Sequence, residues 1–287
     1  RLIYVSVSGF GDAMDSPYRE QPAYGPVVEA MGGLFSITAE AATSAPRVGT
    51  MPFVGDLFTA QYAAVGALAA LHRRDVTGEG SHVDVSLFDS VLAVNEAYFT
   101  AESMGAPAGL STGKGTGLFN TFAAKDGYFL VAAPRPHQYH PVGDLVGHPE
   151  WRDDPRLLER RDWELRCDDL LRPAIEAWAR DKTRDEAVGL LAAAGVPAGP
   201  LKTIDDLRTD AHVAAHEMFV RIPTQDGGHV LVMGTPIKFD GQNRPTDTAI
   251  PAIGEHTADV LAAYVDLSPE AIRDLQDAGV ISTRSIG

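Results

Sequence analysis

Residues 46–90 read PRVGTMPFVGDLFTAQYAAVGALAALHRRDVTGEGSHVDVSLFDS. An extended apolar run, Met51-Pro52-Phe53-Val54, meets Gly55-Asp56 and then a long stretch of small and apolar residues. Leu57 to Arg74 is the strongest helix pattern in the chain, and Gly66 with the many alanines implies close packing against another backbone. Arg73 and Arg74 near its end complement the C-terminal dipole, with a phosphate patch as the other reading. A Thr77-Gly78-Glu79-Gly80 turn leads into a short strand, His82 to Ser86. A second helix spans Leu87 to Met104, and Asp89 in its first turn suits the positive end of the dipole.

Upstream, Leu2 to Val7 is β-branched and reads as a largely buried strand, broken by Gly9 to Gly11. The polar stretch Asp12 to Gln21 is a loop. Tyr24 to Leu34 is a helix that stops near Gly32-Gly33, and residues 39–50 form a loop of Ala, Thr, Ser and Pro. The chain opens in a buried-type strand without a methionine, which leads us to expect a fragment lacking its N-terminal part. Residues 105–117, GAPAGLSTGKGTG, form a linker. They are no phosphate-binding loop, because Lys114 is followed by Gly115 and the G-x-x-x-x-G-K-[ST] order is absent.

Downstream the pattern changes. Leu118 to Ala124 and Tyr128 to Ala133 flank Asp126-Gly127, a hairpin signal. Helices are expected over 136–147, 166–180 and 184–194. Thr183-Arg184-Asp185-Glu186 is a capping box, and Gly195 followed by Pro197 is a helix stop. Strands near 218–222 and 229–233 precede an extended return that holds Gly254-Glu255-His256-Thr257. A last helix starts at Ser268-Pro269 and stops at Gly279. There are no internal repeats.

The chain has 287 residues, 45% hydrophobic and 22% charged, an ordinary composition for a soluble globular protein. That length suits one large domain or two smaller ones. No apolar run approaches the roughly 18 residues of a membrane span, and no signal-peptide pattern is visible, so we expect no membrane association. The net charge of −15 repels phosphate backbones and argues against nucleic acid. A single cysteine, Cys167, fits a reducing, cytoplasmic compartment. It is expected as a half-exposed helical residue, not a catalytic thiol.

Asp56 carries two compatible readings. Aspartate is favoured as a helix N-cap, where its carboxylate accepts backbone N–H bonds. The dipole also favours negative charge there, and an oriented carboxylate is a competent nucleophile. Tyr24 reads either as packing at a helix start or as a substrate contact. No metal centre is expected: His137/His140 and His212/His216 are pairs, and no set of three or four ligands converges. The serines lack a G-x-S-x-G elbow, and His256 is taken as structural.

Taken together, YVSVSGFG, VGD with its Ala-rich helix, TGEGSHVDVSLFDS, KDGYFLVA, AGVPAGP and GEHT resemble the family III CoA-transferases, the CaiB/BaiF type. This group includes formyl-CoA transferase, carnitine CoA-transferase and the related α-methylacyl-CoA racemases. The resemblance runs from Leu2 to about Leu261. It implies an α/β fold: the C-terminal part of a Rossmann-like large domain over residues 1–108, a small α+β domain over 109–222, and a return segment with a terminal helix over 223–287. The family's N-terminal segment, with most contacts to CoA, is not in this sequence.

The resemblance makes Asp56 the nucleophile that carries the acyl group and then CoA from a thioester to a carboxylic acid, with no metal or redox cofactor. Gly55 and the first N–H groups of the helix are then candidate oxyanion donors. It puts Tyr24 against the substrate carboxylate, although the usual acidic residue after it is Gly25 here. Arg135-Pro136-His137-Gln138 falls where the family places a substrate-facing loop. Arg135 can pair with a carboxylate, and His137 is a candidate acid/base or a solvated loop residue. The partners implied are acyl-CoA, a carboxylic acid and a second copy in an interlocked homodimer. CoA is polyanionic, so its site needs a local basic pocket.

Two rivals stay open. A racemase or other acyl-CoA isomerase must abstract an α-proton, for which Tyr24, Gly25 and Arg135 are poor groups. A non-catalytic or fragmentary paralogue is the other.

Overall fold

The structure is a computed structural model describing residues 1–35, 53–105, 117–224, 227–241 and 251–282. The expected loop over 39–50 and most of the Gly-rich linker lie outside the described residues. The chain divides into two units, Arg1–Leu201 and Lys202–Gly287.

In the first unit, β1 (Ile3–Ser8) pairs in parallel with β2 (Ser81–Ser86), from Ile3 opposite Ser81 to Ser8 opposite Ser86. A parallel pair needs a crossover that passes over the sheet. Here α1 (Gly25–Met31) and α2 (Val54–Thr77) lie between the strands in sequence, and α2 packs on both. At Gly66 helix and sheet meet closely: a methyl there would stand 2.6 Å from Val83 Cγ1. The helix ends on Gly78, whose φ of 78° only glycine adopts freely.

At 24 residues, α2 is long and apolar enough to cross a membrane by length and composition alone. That corrects the expectation that no stretch approaches such a length. Its packing on β1, β2, α1 and the following helix is that of a crossover helix on a parallel sheet.

The helix expected over Leu87–Met104 is two helices, α3 (Leu87–Val94) and α4 (Glu96–Ser103), broken at Asn95. Asn95 is fully buried, and its Nδ2 donates to the Gly32 carbonyl at 2.8 Å. This tertiary bond uses the side chain that would otherwise compete with the helix backbone. Ser86 caps α3, its Oγ accepting the Asp89 N–H at 3.0 Å. Phe10, Val28 and Val91 form the core here, with Ala23, Leu34, Leu87 and Phe88 against it.

A second, larger core occupies residues 118–196. β3 (Leu118–Ala124) and β4 (Gly127–Ala133) form the expected hairpin, and β5 (Ala198–Pro200) joins β4. Over them lie α5 (Pro136–Val146), α6 (Arg160–Leu165), α7 (Arg172–Ala179) and α8 (Arg184–Ala193). Phe122, Phe129, Tyr139, Trp163 and Ile175 are all buried in this cluster. Thr183 and Glu186 make the expected capping box at 3.2 and 2.8 Å.

The single helix expected over 166–180 is interrupted by a π turn at Cys167–Leu171. The wider turn rotates Cys167 into the core, so it is buried, not half-exposed. Burial pushes its thiol up to about 12, which makes it inert.

The second unit holds α9 (Ile204–Arg208), α10 (Ala211–Ala215), the antiparallel pair β6 (Phe219–Pro223) and β7 (His229–Met233), α11 (Thr257–Val265) and α12 (Pro269–Asp277). The Gly254–Thr257 segment is not extended: it turns and opens α11, a helix that the sequence reading did not foresee. The rings of His212 and His216 do stack, at 4.0 Å. Among the described residues no group of three potential metal ligands converges.

The Gly66 contact is testable. Gly66→Ala should cost about 1–3 kcal/mol of stability, read as a lower urea midpoint, because the added methyl overpacks the helix–sheet interface. An unchanged midpoint would show that α2 does not lie this close to β2.

Candidate active site

The first turn of α2 starts at Val54, so Asp56 is its third residue and not the N-cap. The cap position is Phe53, held at a φ of 63° and without a side-chain acceptor. Asp56 is exposed, and among the described residues its carboxylate makes no hydrogen bond or ion pair. It sits in the half-turn where the helix dipole favours negative charge.

Gly25, the first residue of α1, lies directly under this carboxylate: a Cβ on Gly25 would overlap Asp56 Oδ2. The absence of a side chain at Gly25 therefore makes room for Asp56 itself. Tyr24 immediately precedes α1 and is 76% exposed, which settles against packing as its role at this helix start. Tyr24 and Asp56 are thus brought to neighbouring helix N-termini.

Gly55 is buried, and its N–H donates to Glu29 Oε1 at 3.0 Å. In this conformation the Gly55 N–H is already engaged and is not free to meet an oxyanion. Its carbonyl accepts the Thr59 hydroxyl at 2.6 Å. A side chain on Gly55 would press on Val91, Val28 and Glu29, at 3.2, 3.5 and 3.7 Å.

Arg135 and His137 flank Pro136 at the start of α5, and both are exposed. The Arg135 N–H donates to Gln138 Oε1 at 3.2 Å. Neither side chain makes a hydrogen bond or ion pair with Asp56 among the described residues. Arg73, the other candidate for an anionic group, spends its guanidinium on Gly80 O, Ser81 Oγ and Glu79, at 3.3, 2.9 and 3.2 Å. It locks the turn into β2.

A polar cluster that sequence reasoning missed fixes the loop leading to Tyr24. Asp84 Oδ2 accepts the N–H groups of Asp12 and Ala13, both at 2.8 Å, and Oδ1 accepts the Ser6 hydroxyl at 2.9 Å. With that proton committed, His82 Nε2 donates to Ser6 Oγ at 2.8 Å. Burial pushes the Asp84 carboxyl up, but the hydrogen bonds from Ala13, Asp12 and Ser6 and the His82 charge outweigh it and hold it below the usual range. The available signal was an aspartate inside a β-branched strand, where aspartate is disfavoured. For Glu29 it was a lone acid inside Val27-Val28-Glu29-Ala30-Met31.

A model of CoA-transferase family III matches residues 1–257. The chain belongs to that family. It is 30% identical to a formyl-CoA:oxalate CoA-transferase of Streptomyces avermitilis, covering 98% of this chain and 72% of the relative. It is 29% identical to a succinyl-CoA–D-citramalate CoA-transferase of Chloroflexus aurantiacus, covering 98% and 69%. A solved CaiB/BaiF family protein from Brucella suis superposes with a TM-score of 0.70 at 29% identity, over 91% of this chain and 67% of that one. The family III chain is thus a transferase of the CoA-transferase class with an α/β fold, and CoA thioesters are the substrates of that class.

Two outcomes follow from the site geometry. Gly25→Ala should displace the Asp56 carboxylate, because the added methyl overlaps Oδ2, and so shift the Asp56 carboxyl NMR resonance while the urea midpoint holds. An unshifted resonance would mean that the Asp56 carboxylate does not rest on Gly25. The Asp84 carboxyl is depressed, so its stabilisation is complete above the unfolded value near 3.9 and is lost as pH falls through the lower native value. The stability gap between the wild type and Asp84→Asn should therefore shrink as pH drops below about 4; a gap independent of pH would contradict the anchoring role.

Proposed function

We propose that this family III chain moves CoA from an acyl-CoA thioester to a free carboxylic acid through a covalent intermediate on Asp56. The reading is carried by one observation: an exposed carboxylate in the first turn of α2 that makes no hydrogen bond or ion pair among the described residues, with Gly25 clearing the space beside it.

Asp56 attacks the thioester carbonyl and expels CoA thiolate, leaving a mixed anhydride. The thiolate attacks the aspartyl carbonyl, gives the aspartyl-CoA thioester and releases the first carboxylate. The acceptor carboxylate attacks that thioester to form a second anhydride and expel the thiolate again. The thiolate then takes the acceptor acyl group and frees Asp56. Atoms and electrons balance without a metal or redox group.

Tyr24, at the mouth of α1, donates its hydroxyl to the substrate carboxylate, and Arg135 supplies a bidentate partner from α5. His137 stands beside Arg135 as a solvated neighbour or proton acceptor. The donors and acceptors in the names of the relatives, formyl- and succinyl-CoA with oxalate and citramalate, favour a short acyl group and a small acid. The same reading has the large domain ending near residue 108, with distinct cores on either side of that boundary as support. A cytoplasmic homodimer completes it; the lone buried Cys167 fits a reducing compartment, and exposed Leu57, Val65 and Leu68 on α2 fit a surface covered in an assembly.

Hydroxylamine trapping tests the covalent route. The natural protein incubated with formyl-, acetyl- or succinyl-CoA and then hydroxylamine should carry a hydroxamate on Asp56, a gain of about 15 Da by peptide mass spectrometry. Asp56→Asn should carry none. Turnover of these thioesters with no adduct at Asp56 would sink the proposal.

A further inference from the structure

The N-terminus of α2 has no cap of its own. A helix leaves its first four N–H groups without internal partners, and the local solution is a Ser, Thr, Asp or Asn side chain at the cap position. Phe53 stands there instead and offers no acceptor. Two carboxylates meet this terminus, and they are placed in opposite ways. Asp56 lies on the exposed side. Glu29 comes from α1, is 2% exposed, and accepts the Gly55 N–H from within the core.

We propose that Glu29 caps α2 from the neighbouring helix and is thereby the positioning residue for Asp56. This rests on the reading of Asp56 as the nucleophile. With the Gly55 N–H satisfied by Glu29 and the Gly55 carbonyl held by Thr59, the peptide groups on both sides of the Gly55 Cα, the second of which leads into Asp56, are each fixed by a side chain. The Asp56 carboxylate is then released from capping. Without Glu29, the acid within the first turn of α2 itself is Asp56. A third-residue acid folds back onto the first backbone N–H groups in the manner of a capping box, and a carboxylate so engaged is turned away from a thioester. Glu29 thus acts through geometry on one side and through its charge at the dipole on the other.

The test compares Glu29→Leu, which removes the acceptor at similar volume, with Glu29→Gln, which keeps an oxygen at the same reach. Both are made in the full natural chain. Hydroxamate formation at Asp56 is followed with formyl-, acetyl- and succinyl-CoA, and the rate and the concentration dependence are read separately. Glu29→Leu should label Asp56 about 10²-fold more slowly, with the half-saturating thioester concentration unchanged and the cooperative urea transition retained. Glu29→Gln should restore most of the rate. Equal rates in wild type and Glu29→Leu overturn the proposal, as does a Glu29→Gln variant as slow as Glu29→Leu.

If Glu29→Leu does not fold, amide hydrogen exchange decides. The Gly55 amide should be strongly protected in wild type and in Glu29→Gln, and exchange at an exposed rate in wild type overturns the proposal. Wild type that turns over these thioesters without labelling Asp56 overturns the nucleophile reading instead, and Gly55 exchange then still reports on the Glu29 contact.

Discussion

A buried hydrogen bond from the Gly55 N–H to Glu29 joins the two helices that present the site. Its strength comes from its surroundings. Val28 and Val91 exclude water from the junction, and a charged acceptor in such a place makes a stronger bond than a neutral one. Losing it would strip a buried N–H of its partner and leave the helix terminus to draw on Asp56. The site depends on that junction because Tyr24 and Gly25 begin one helix and Asp56 sits in the first turn of the other. Their mutual position is set by how α1 and α2 touch, and Gly25 and Gly55 are the residues without side chains at the contact.

Small residues set the rest of this framework. Gly66 lets α2 lie on β2, and Asn95 splits the following helix so that its amide can hold the end of α1. Asp84 holds the start of the loop that arrives at Tyr24. The candidate site residues Tyr24 and Asp56 are exposed, while Glu29 and Asn95, which tie the helices behind them together, are buried.

Much of this was legible in the sequence because local signals agreed with tertiary ones. The Asp126-Gly127 turn, the Thr183 capping box and the Ala-rich α2 each carry their own physical cause, and each element formed where expected. The family resemblance singled out Asp56 as a candidate nucleophile. What escaped were effects that only packing decides. Asn95 reads as an ordinary helical residue until Gly32 accepts from it. The π turn at Cys167 has no local mark, since it answers to the core it feeds. Residues 254–257 look extended because Gly and His are poor helix formers, yet Thr257 opens α11. The N-cap reading of Asp56 failed because the helix starts earlier than its first strongly helical residue, on the far side of Gly55.

The parallel pairing of β1 with β2 carries one more consequence, for the order in which the molecule assembles. Ser6 and Asp84 are 78 residues apart in the chain, and α2 with its aspartate lies inside the loop they close. Closing a loop of that length costs entropy before any contact repays it. α2 can coil early, since its own hydrogen bonds are local, but the loop leading to Tyr24 lacks its Asp84 anchor until β2 has emerged and zipped onto β1. A ribosome therefore releases a chain in which the acid is present well before the site exists. The loop that carries Tyr24 gains its Asp84 anchor only with the last strand of the pair.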